Sequence, residues 1–175
     1  MASRLKKGLV QVYTGSGKGK TTAALGLALR ASGAGVKVYI QQFIKNGAYS
    51  EIRALSRIKN IKVEQCGRGC FIRGNPKLKD TECARQGLAK AGKRIKSGRY
   101  GLVILDEINV AVKLGLISVE DVLGLISHKP KKVELVLTGR SCPPGLLKRA
   151  DLVTEMKNIR HPYEKGVLAR RGIEY

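Results

Sequence analysis

The chain has 175 residues, 43% of them hydrophobic, which is enough for one domain with a substantial buried core. With 34 Lys and Arg against 13 Asp and Glu, the net charge is +21, so the surface attracts anions such as nucleotides, nucleic acid or acidic proteins. No apolar run approaches the roughly 20 residues that cross a bilayer, and the first residues lack the apolar core of a secretory signal. We therefore expect a soluble, cytoplasmic protein without a membrane partner.

Extended and helical patterns alternate along the chain, which predicts a single α/β domain over residues 1–175. Strands are predicted at 9–13, 36–41, 61–65, 100–105, 133–138 and 152–156. Helices are predicted from the first glycine-rich stretch to about residue 32, and at 51–57, 80–96, 118–128 and 143–149. The segment 66–79 is rich in turn residues, and the tail 158–175 has no clear period. The expected architecture is a mostly parallel central sheet flanked by helices, with ligands at the carboxyl ends of the strands.

A glycine-rich stretch between the first strand and the first helix predicts a phosphate-binding loop. Its residues are Thr14, Gly15, Ser16, Gly17, Lys18, Gly19, Lys20, Thr21 and Thr22. Glycines let backbone N–H groups turn towards an anion, and the helix that follows adds its own unpaired N–H groups. In this interpretation Lys20 neutralises phosphate charge and the Thr21 hydroxyl ligates Mg²⁺. The loop is one residue shorter than the usual pattern, and the alternative is a plain strand-to-helix turn.

The strand predicted at 100–105 ends in two carboxylates, Asp106 and Glu107. A buried strand that delivers an acid beside a phosphate loop is the pattern that holds Mg²⁺ in nucleotide-binding proteins. Asn109, one turn further on, either contacts a ligand or caps a helix. Arg140 follows the next apolar strand and would reach the same edge of the sheet, where a guanidinium suits a polyphosphate; the alternative is a surface arginine.

The four cysteines and the basic surface carry weaker signals. Cys66 and Cys70 are four residues apart, which is not zinc-knuckle spacing, so reduced and mostly buried thiols are favoured over a metal or redox role. The positive charge is spread along the chain, Trp is absent and Phe is scarce, so a solvated basic surface is favoured over a nucleic-acid groove. A basic RecA-like ATPase that binds nucleic acid stays open as the alternative function.

Taken together, these stretches resemble the P-loop-type ATP:corrinoid adenosyltransferases. The matching stretches are 15–24, 42–45, 103–109, 137–140 with 143–144, 150–156, 161–162 and 172–175. They follow the family's order over nearly the whole chain, and the short phosphate loop is itself a family trait. The resemblance implies a P-loop NTPase-like fold of the RecA-like type. It also implies transfer of the 5′-deoxyadenosyl group of ATP to the Co(I) of a reduced corrinoid, with release of triphosphate.

The resemblance also assigns roles. It implies that Lys20, Thr21, Glu107 and Arg140 are catalytic, and that Mg²⁺ is held by Thr21, Asp106 and Glu107. The loop residues 14–22, with Arg30, Asn109 and Arg140, would bind ATP, Arg30 on the nucleoside side. Family members are commonly homodimers, and the basic surface would suit an acidic flavoprotein reductant.

The chain departs from the family where the corrinoid is expected to bind. Better-known members carry a Phe and a Trp two residues apart in the turn after the third strand, beneath the corrin ring. Here Cys70 and Ile72 take those positions, with Phe71 between them. We expect Phe71 and Ile72 to form an apolar wedge; otherwise the preferred corrinoid is one without a lower base to displace.

Overall fold

The computed structural model describes residues 5–47, 49–69 and 74–174. Six strands are described: β1 (Val10–Thr14), β2 (Val38–Lys45), β3 (Ile61–Gly69), β4 (Leu102–Asp106), β5 (Glu134–Thr138) and β6 (Leu152–Glu155). The helices are α1 (Lys20–Gly33), α2 (Ser50–Leu55), α3 (Leu78–Lys96), α4 (Ile108–Lys113), α5 (Val119–Ser127) and α6 (Pro144–Leu147), with a 3₁₀ helix at Pro162–Lys165. The described helices include none that is both long and apolar enough to cross a membrane.

The six strands form one sheet in the order β3-β2-β4-β5-β1-β6, and every pair of neighbours is parallel. All six carboxyl ends therefore lie at the same edge of the sheet, as the alternation of strands and helices predicts. The predicted α/β fold with helices around a parallel sheet, of the P-loop NTPase type, is confirmed. One strand, β5, lies between the strand that leads into the phosphate loop and the strand that ends in Asp106.

Helices cover both faces of the sheet, and the alternation of side chains along β4 shows how. Val103 and Leu105 belong to one core, which also contains Ala84 and Ala91 of α3. Leu102 and Ile104 belong to the other core, which contains Ala24 and Ala28 of α1. Because successive strand residues point to opposite faces, a continuous apolar run is what a strand covered on both sides requires.

The observed helix N-termini lie close to the predicted ones where capping residues mark them. The N-terminus of α5 has a capping box: the Asp121 backbone N–H donates to Ser118 Oγ at 3.0 Å, and the Ser118 backbone N–H donates to the Asp121 carboxylate at 3.3 Å. Helix α3 begins two residues before the predicted start, and the Asp80 carboxylate accepts a hydrogen bond from the Lys77 backbone N–H at 2.9 Å.

Sequence reasoning missed two short elements and cut two strands short. Helix α4, directly after Glu107, and the 3₁₀ helix in the tail were not predicted. Strands β2 and β3 continue to Lys45 and Gly69, four residues beyond their predicted ends. In β2 the polar residues Gln42 and Lys45 interrupt the apolar pattern, and in β3 Gly67 and Gly69 give the sequence the character of a turn.

Candidate active site

The phosphate loop lies between β1 and α1 and takes the conformation that its glycines allow. Gly15 and Gly19 have φ values of 97° and 116°, in the left-handed region that other residues rarely adopt. The Gly17 backbone N–H donates to the Met156 carbonyl at 2.6 Å, so the loop rests on the chain just after β6. A Cβ at Gly17 would lie 2.6 Å from the Lys157 carbonyl oxygen, which only glycine avoids.

Lys20, the first residue of α1, is buried and points back into this loop. Its ammonium group donates to the carbonyl oxygens of Gly15 at 2.8 Å and Gly17 at 2.6 Å. Burial lowers the pKa of Lys20, and the nearby Arg140 lowers it further, while Glu107 and Asp106 raise it. The loop therefore holds a desolvated cation close to a second one, an arrangement that an anion would relieve.

Asp106 is fully buried at the end of β4, and four donors surround its carboxylate. Thr21 Oγ1 and Thr138 Oγ1 donate to Oδ1 at 2.8 and 2.7 Å. Gln42 Nε2 and Lys45 Nζ donate to Oδ2 at 3.1 and 3.3 Å. A carboxylate has about four lone-pair positions, so Asp106 has none left for a direct metal bond in this arrangement. The bond from Thr21 fixes the direction of that hydroxyl, and the oxygen lone pairs of Thr21 stay available.

Glu107 has a different setting from Asp106 although the two are adjacent. Its backbone is left-handed, with φ of 61°, and its N–H donates to Thr138 Oγ1 at 3.0 Å. Its side chain is 24% exposed and lies 3.8 Å from Lys45 Nζ. Burial and the charge of Asp106 raise the pKa of Glu107, while Lys45, Lys20 and Arg140 lower it. Of the two carboxylates, Glu107 has the oxygen atoms that can reach a ligand.

The turn after β5 forms the remaining part of the site at the carboxyl edge of the sheet. Gly139 has φ of 134°, and a Cβ there would lie 3.0 Å from Asn109 Cβ. Asn109 is fully buried, and its Nδ2 donates to the Gly139 carbonyl at 3.2 Å. Asn109 does not cap α4, because Glu107 is the N-cap residue. Its Oδ1 has no hydrogen-bond partner among the described residues. Arg140 is exposed, and it is near enough to lower the pKa values of Lys20 and Glu107.

Other predicted site residues take no part in the contacts described above. Lys18 turns from the loop towards the tail, where its Nζ donates to the Glu174 carboxylate at 2.9 Å and to the Ile173 carbonyl at 3.3 Å. Ser16 and Thr22 are exposed, and Thr14 Oγ1 accepts a hydrogen bond from the Cys142 backbone N–H at 3.3 Å. Arg30 is exposed, about 15 Å along α1 from Lys20 at 1.5 Å per residue.

Sequence reasoning missed three residues of the centre: Gln42, Lys45 and Thr138. Each lies at the carboxyl end of a strand and within a stretch that matches the family, 42–45 or 137–140, and these two signals could have found them. Gln42 is held in turn by Gln65, whose Nε2 donates to Gln42 Oε1 at 3.0 Å. The three residues predicted to face the corrinoid, Cys70, Phe71 and Ile72, lie outside the described residues.

The described cysteines and acids give no metal cluster of their own. Cys66, Cys83 and Cys142 are free thiols and partly buried. Burial raises the pKa of Cys66 to about 12 and that of Cys142 to about 11, which keeps both thiols protonated. Residues 5–47, 49–69 and 74–174 contain no group of three or more His, Cys, Asp or Glu that could hold a metal. A Mg²⁺ ion whose other ligands are nucleotide phosphates and waters needs only one or two protein carboxylates, so this finding does not bear on the predicted Mg²⁺ site.

The centre thus combines a phosphate loop, a buried acid that orients the Thr21 hydroxyl, a second acid and an exposed arginine. A family model described as ATP:corrinoid adenosyltransferase BtuR/CobO/CobP matches residues 6–175. The chain belongs to this family. The predicted resemblance is therefore confirmed, and with it the prediction of a transferase whose family moves the adenosyl group of ATP to a corrinoid.

Curated relatives match this chain over nearly all of its length and over more than four fifths of their own. A corrinoid adenosyltransferase of Pseudomonas aeruginosa is 34% identical, covering 99% of this chain and 86% of the relative. A corrinoid adenosyltransferase of Sinorhizobium sp is 36% identical, covering 97% of this chain and 81% of the relative. The Escherichia coli K12 corrinoid adenosyltransferase is 32% identical, covering 97% of this chain and 87% of the relative.

Proposed function

We propose that this protein transfers the 5′-deoxyadenosyl group of Mg²⁺-bound ATP to the Co(I) of a reduced corrinoid, with inorganic triphosphate as the leaving group. The observation that carries the proposal is the convergence of Lys20, Thr21, Glu107 and Arg140 at one edge of the sheet. The first two come from one loop and helix, and the other two from separate strand ends, so only the folded chain unites them. The proposal makes these four residues the catalytic ones.

In this reaction the protein itself forms no covalent bond. Co(I) supplies the electron pair of the new Co–C5′ bond, and the C5′–O bond breaks with its pair leaving on the triphosphate. Negative charge therefore grows on the leaving group as the reaction proceeds. Groups that bind this charge more strongly in the transition state than in bound ATP accelerate the step.

Two cations of the centre, Lys20 and Arg140, hold the triphosphate. The Lys20 ammonium leaves the carbonyl oxygens of Gly15 and Gly17 and turns to phosphate oxygens. Arg140, exposed at the rim of the centre, closes on the triphosphate from the β5 side. Burial lowers the pKa of Lys20 and the charge of Arg140 lowers it further, so the two cations are close enough to repel each other. A bound polyanion relieves this repulsion, which favours binding.

The residues present fit a Mg²⁺ ion. Thr21 Oγ1 donates its proton to Asp106 at 2.8 Å and so offers its lone pairs, and Glu107 supplies a carboxylate. When bound, the ion would neutralise charge on the departing triphosphate. Asp106, proposed from sequence as a direct ligand, acts in this proposal through Thr21 instead, because four donors already saturate its oxygens.

The remaining assignments extend this proposal. Lys18 and Thr22 contact phosphate oxygens, Arg30 acts on the nucleoside side, and Phe71 with Ile72 forms an apolar support beneath the corrinoid. The corrinoid is cobalamin or its precursor cobyrinic acid a,c-diamide. An acidic flavoprotein supplies the electron that reduces the cobalt to Co(I), and the net charge of +21 favours its approach. Two copies of the chain form the working dimer.

One assay tests the proposal. Protein is incubated anaerobically with Mg²⁺-ATP and chemically reduced cobalamin, and both the adenosylated corrinoid and the phosphate product are measured. We expect adenosylcobalamin and triphosphate in equal amounts. Release of ADP with no change at cobalt would refute transfer and favour an ATPase. K20A should be inactive, whereas K62A, an exposed lysine on β3, should keep full activity as the matched control.

A further inference from the structure

Lys45 is the least expected member of the centre, because a cation lies where the proposed Mg²⁺ site needs carboxylate oxygens. Its ammonium group is 3.3 Å from Asp106 Oδ2 and 3.8 Å from Glu107 Oε1. Its side chain is 19% exposed, so much of the lysine is out of solvent. Two adjacent carboxylates repel each other, and a cation between them offsets that repulsion.

The backbone around Lys45 is built to aim its side chain at this place. Ile44, the preceding residue, has φ of 68°, which is a strained conformation for a β-branched side chain. The pairing of β2 with β3 shifts register between Phe43 and Lys45. A Cβ at Gly67 would overlap the Ile44 carbonyl, so only glycine fits opposite this irregularity. Such a bulge redirects a side chain at the end of a strand, and strain of this kind persists where surrounding structure enforces it.

The two contacts of Lys45 are unequal. Asp106 is nearly inaccessible and keeps its other three donors, Thr21, Thr138 and Gln42, so its bond with Lys45 belongs to a buried network. Glu107 lies farther from the ammonium group and is 24% exposed. A Mg²⁺ ion binds a carboxylate oxygen at about 2.0–2.1 Å, so an ammonium group near the same oxygen would repel it. The contact that must give way is therefore the one with Glu107.

We propose that Lys45 is a placeholder cation for Glu107: its ammonium group neutralises that carboxylate in the nucleotide-free protein, and Mg²⁺ displaces it when ATP binds. Asp106 retains Lys45 throughout, so the lysine stays beside the centre. The consequence is that free Mg²⁺ binds weakly, because it must displace a resident cation for few ligands. Mg²⁺ that arrives bound to ATP brings phosphate oxygens as further ligands, and these compensate for displacing Lys45 from Glu107. The inference rests on the proposed use of Glu107 as a metal ligand.

Mn²⁺ titration of the untagged, nucleotide-free protein tests the idea, with the free ion followed by electron paramagnetic resonance. K45M should bind Mn²⁺ at least about tenfold more tightly than the wild type, because a unit charge has left the vicinity of the metal. K45R should bind as the wild type does. K62M removes a lysine that is 54% exposed and pairs with Glu64 on β3, and should also leave the affinity unchanged.

The double variant K45M/E107Q shows whether the gain in Mn²⁺ affinity of K45M arises at Glu107. It should lose the tighter binding, because the gain arises at Glu107; a gain that survives E107Q would overturn the proposal. Equal or weaker binding by K45M, or no detectable binding by either protein, would also overturn it. If K45M does not fold, K45Q carries the same test with a neutral side chain that can still donate to Asp106. These titrations need no corrinoid, so a failed transfer assay and a failed Lys45 titration are separate results.

Discussion

Replacing Thr138 by Val should weaken both the stability and the activity of the protein, because one hydroxyl holds the Asp106 carboxylate and the Glu107 backbone in place. Thr138 Oγ1 donates to Asp106 Oδ1 at 2.7 Å and accepts from the Glu107 backbone N–H at 3.0 Å. Thr138 is fully buried, and Val has nearly the same shape, so the substitution removes hydrogen bonds and little else.

The magnitude follows from the two bonds. A hydrogen bond to a charged group contributes about 1.5–3 kcal/mol, and a buried N–H left without a partner costs about 1–3 kcal/mol. The free energy of unfolding should therefore fall by about 3–5 kcal/mol, measured by urea denaturation. Activity should fall as well, because Glu107 loses the bond that holds its left-handed backbone and Asp106 loses one of its four donors.

Two matched variants show whether the hydroxyl is the cause. T138S keeps the hydroxyl and should recover most of the stability and activity. T154V makes the same exchange on the exposed edge strand β6 and should change the free energy of unfolding by less than about 0.5 kcal/mol. A loss below about 1 kcal/mol in T138V, or an equal loss in T154V, would refute the account of Asp106 and Glu107 as positioned by Thr138.

Two further predictions concern the turn after β5 and the buried thiols. G139A should lower the free energy of unfolding by more than about 1 kcal/mol, because its φ of 134° is strained for alanine and the new Cβ would lie 3.0 Å from Asn109 Cβ. G124A in α5 is the control: nothing lies within 4 Å of a Cβ there, so urea denaturation should show no loss or a gain of about 0.5–1 kcal/mol. Cys66, with its pKa raised to about 12, should resist iodoacetamide at pH 8 in the folded protein and react once urea unfolds it; peptide mass spectrometry would show this, and equal rates in both states would contradict the assigned burial.

The amino-acid sequence by itself determined the parts of this protein that depend on neighbours along the chain. The glycines and the Lys-Thr pair of the loop lie within nine residues of the end of β1, and the two acids lie at the end of β4 and directly after it. The Ser118–Asp121 capping box is likewise a local signal, with its two residues three positions apart. Period and spacing predict such features because the physical causes, backbone conformation and strand burial, are themselves local.

The tertiary structure alone decided how these parts divide their work. Asp106 and Glu107 are adjacent in sequence, yet Asp106 is saturated by donors from positions 21, 42, 45 and 138, while Glu107 faces outward. Lys18, which is proposed to contact phosphate when ATP binds, pairs in this structure with Glu174 from the far end of the chain. No local pattern could predict these pairings, because they arise where separate parallel strands end at the same edge, and a carboxylate's role depends on which donors reach it there.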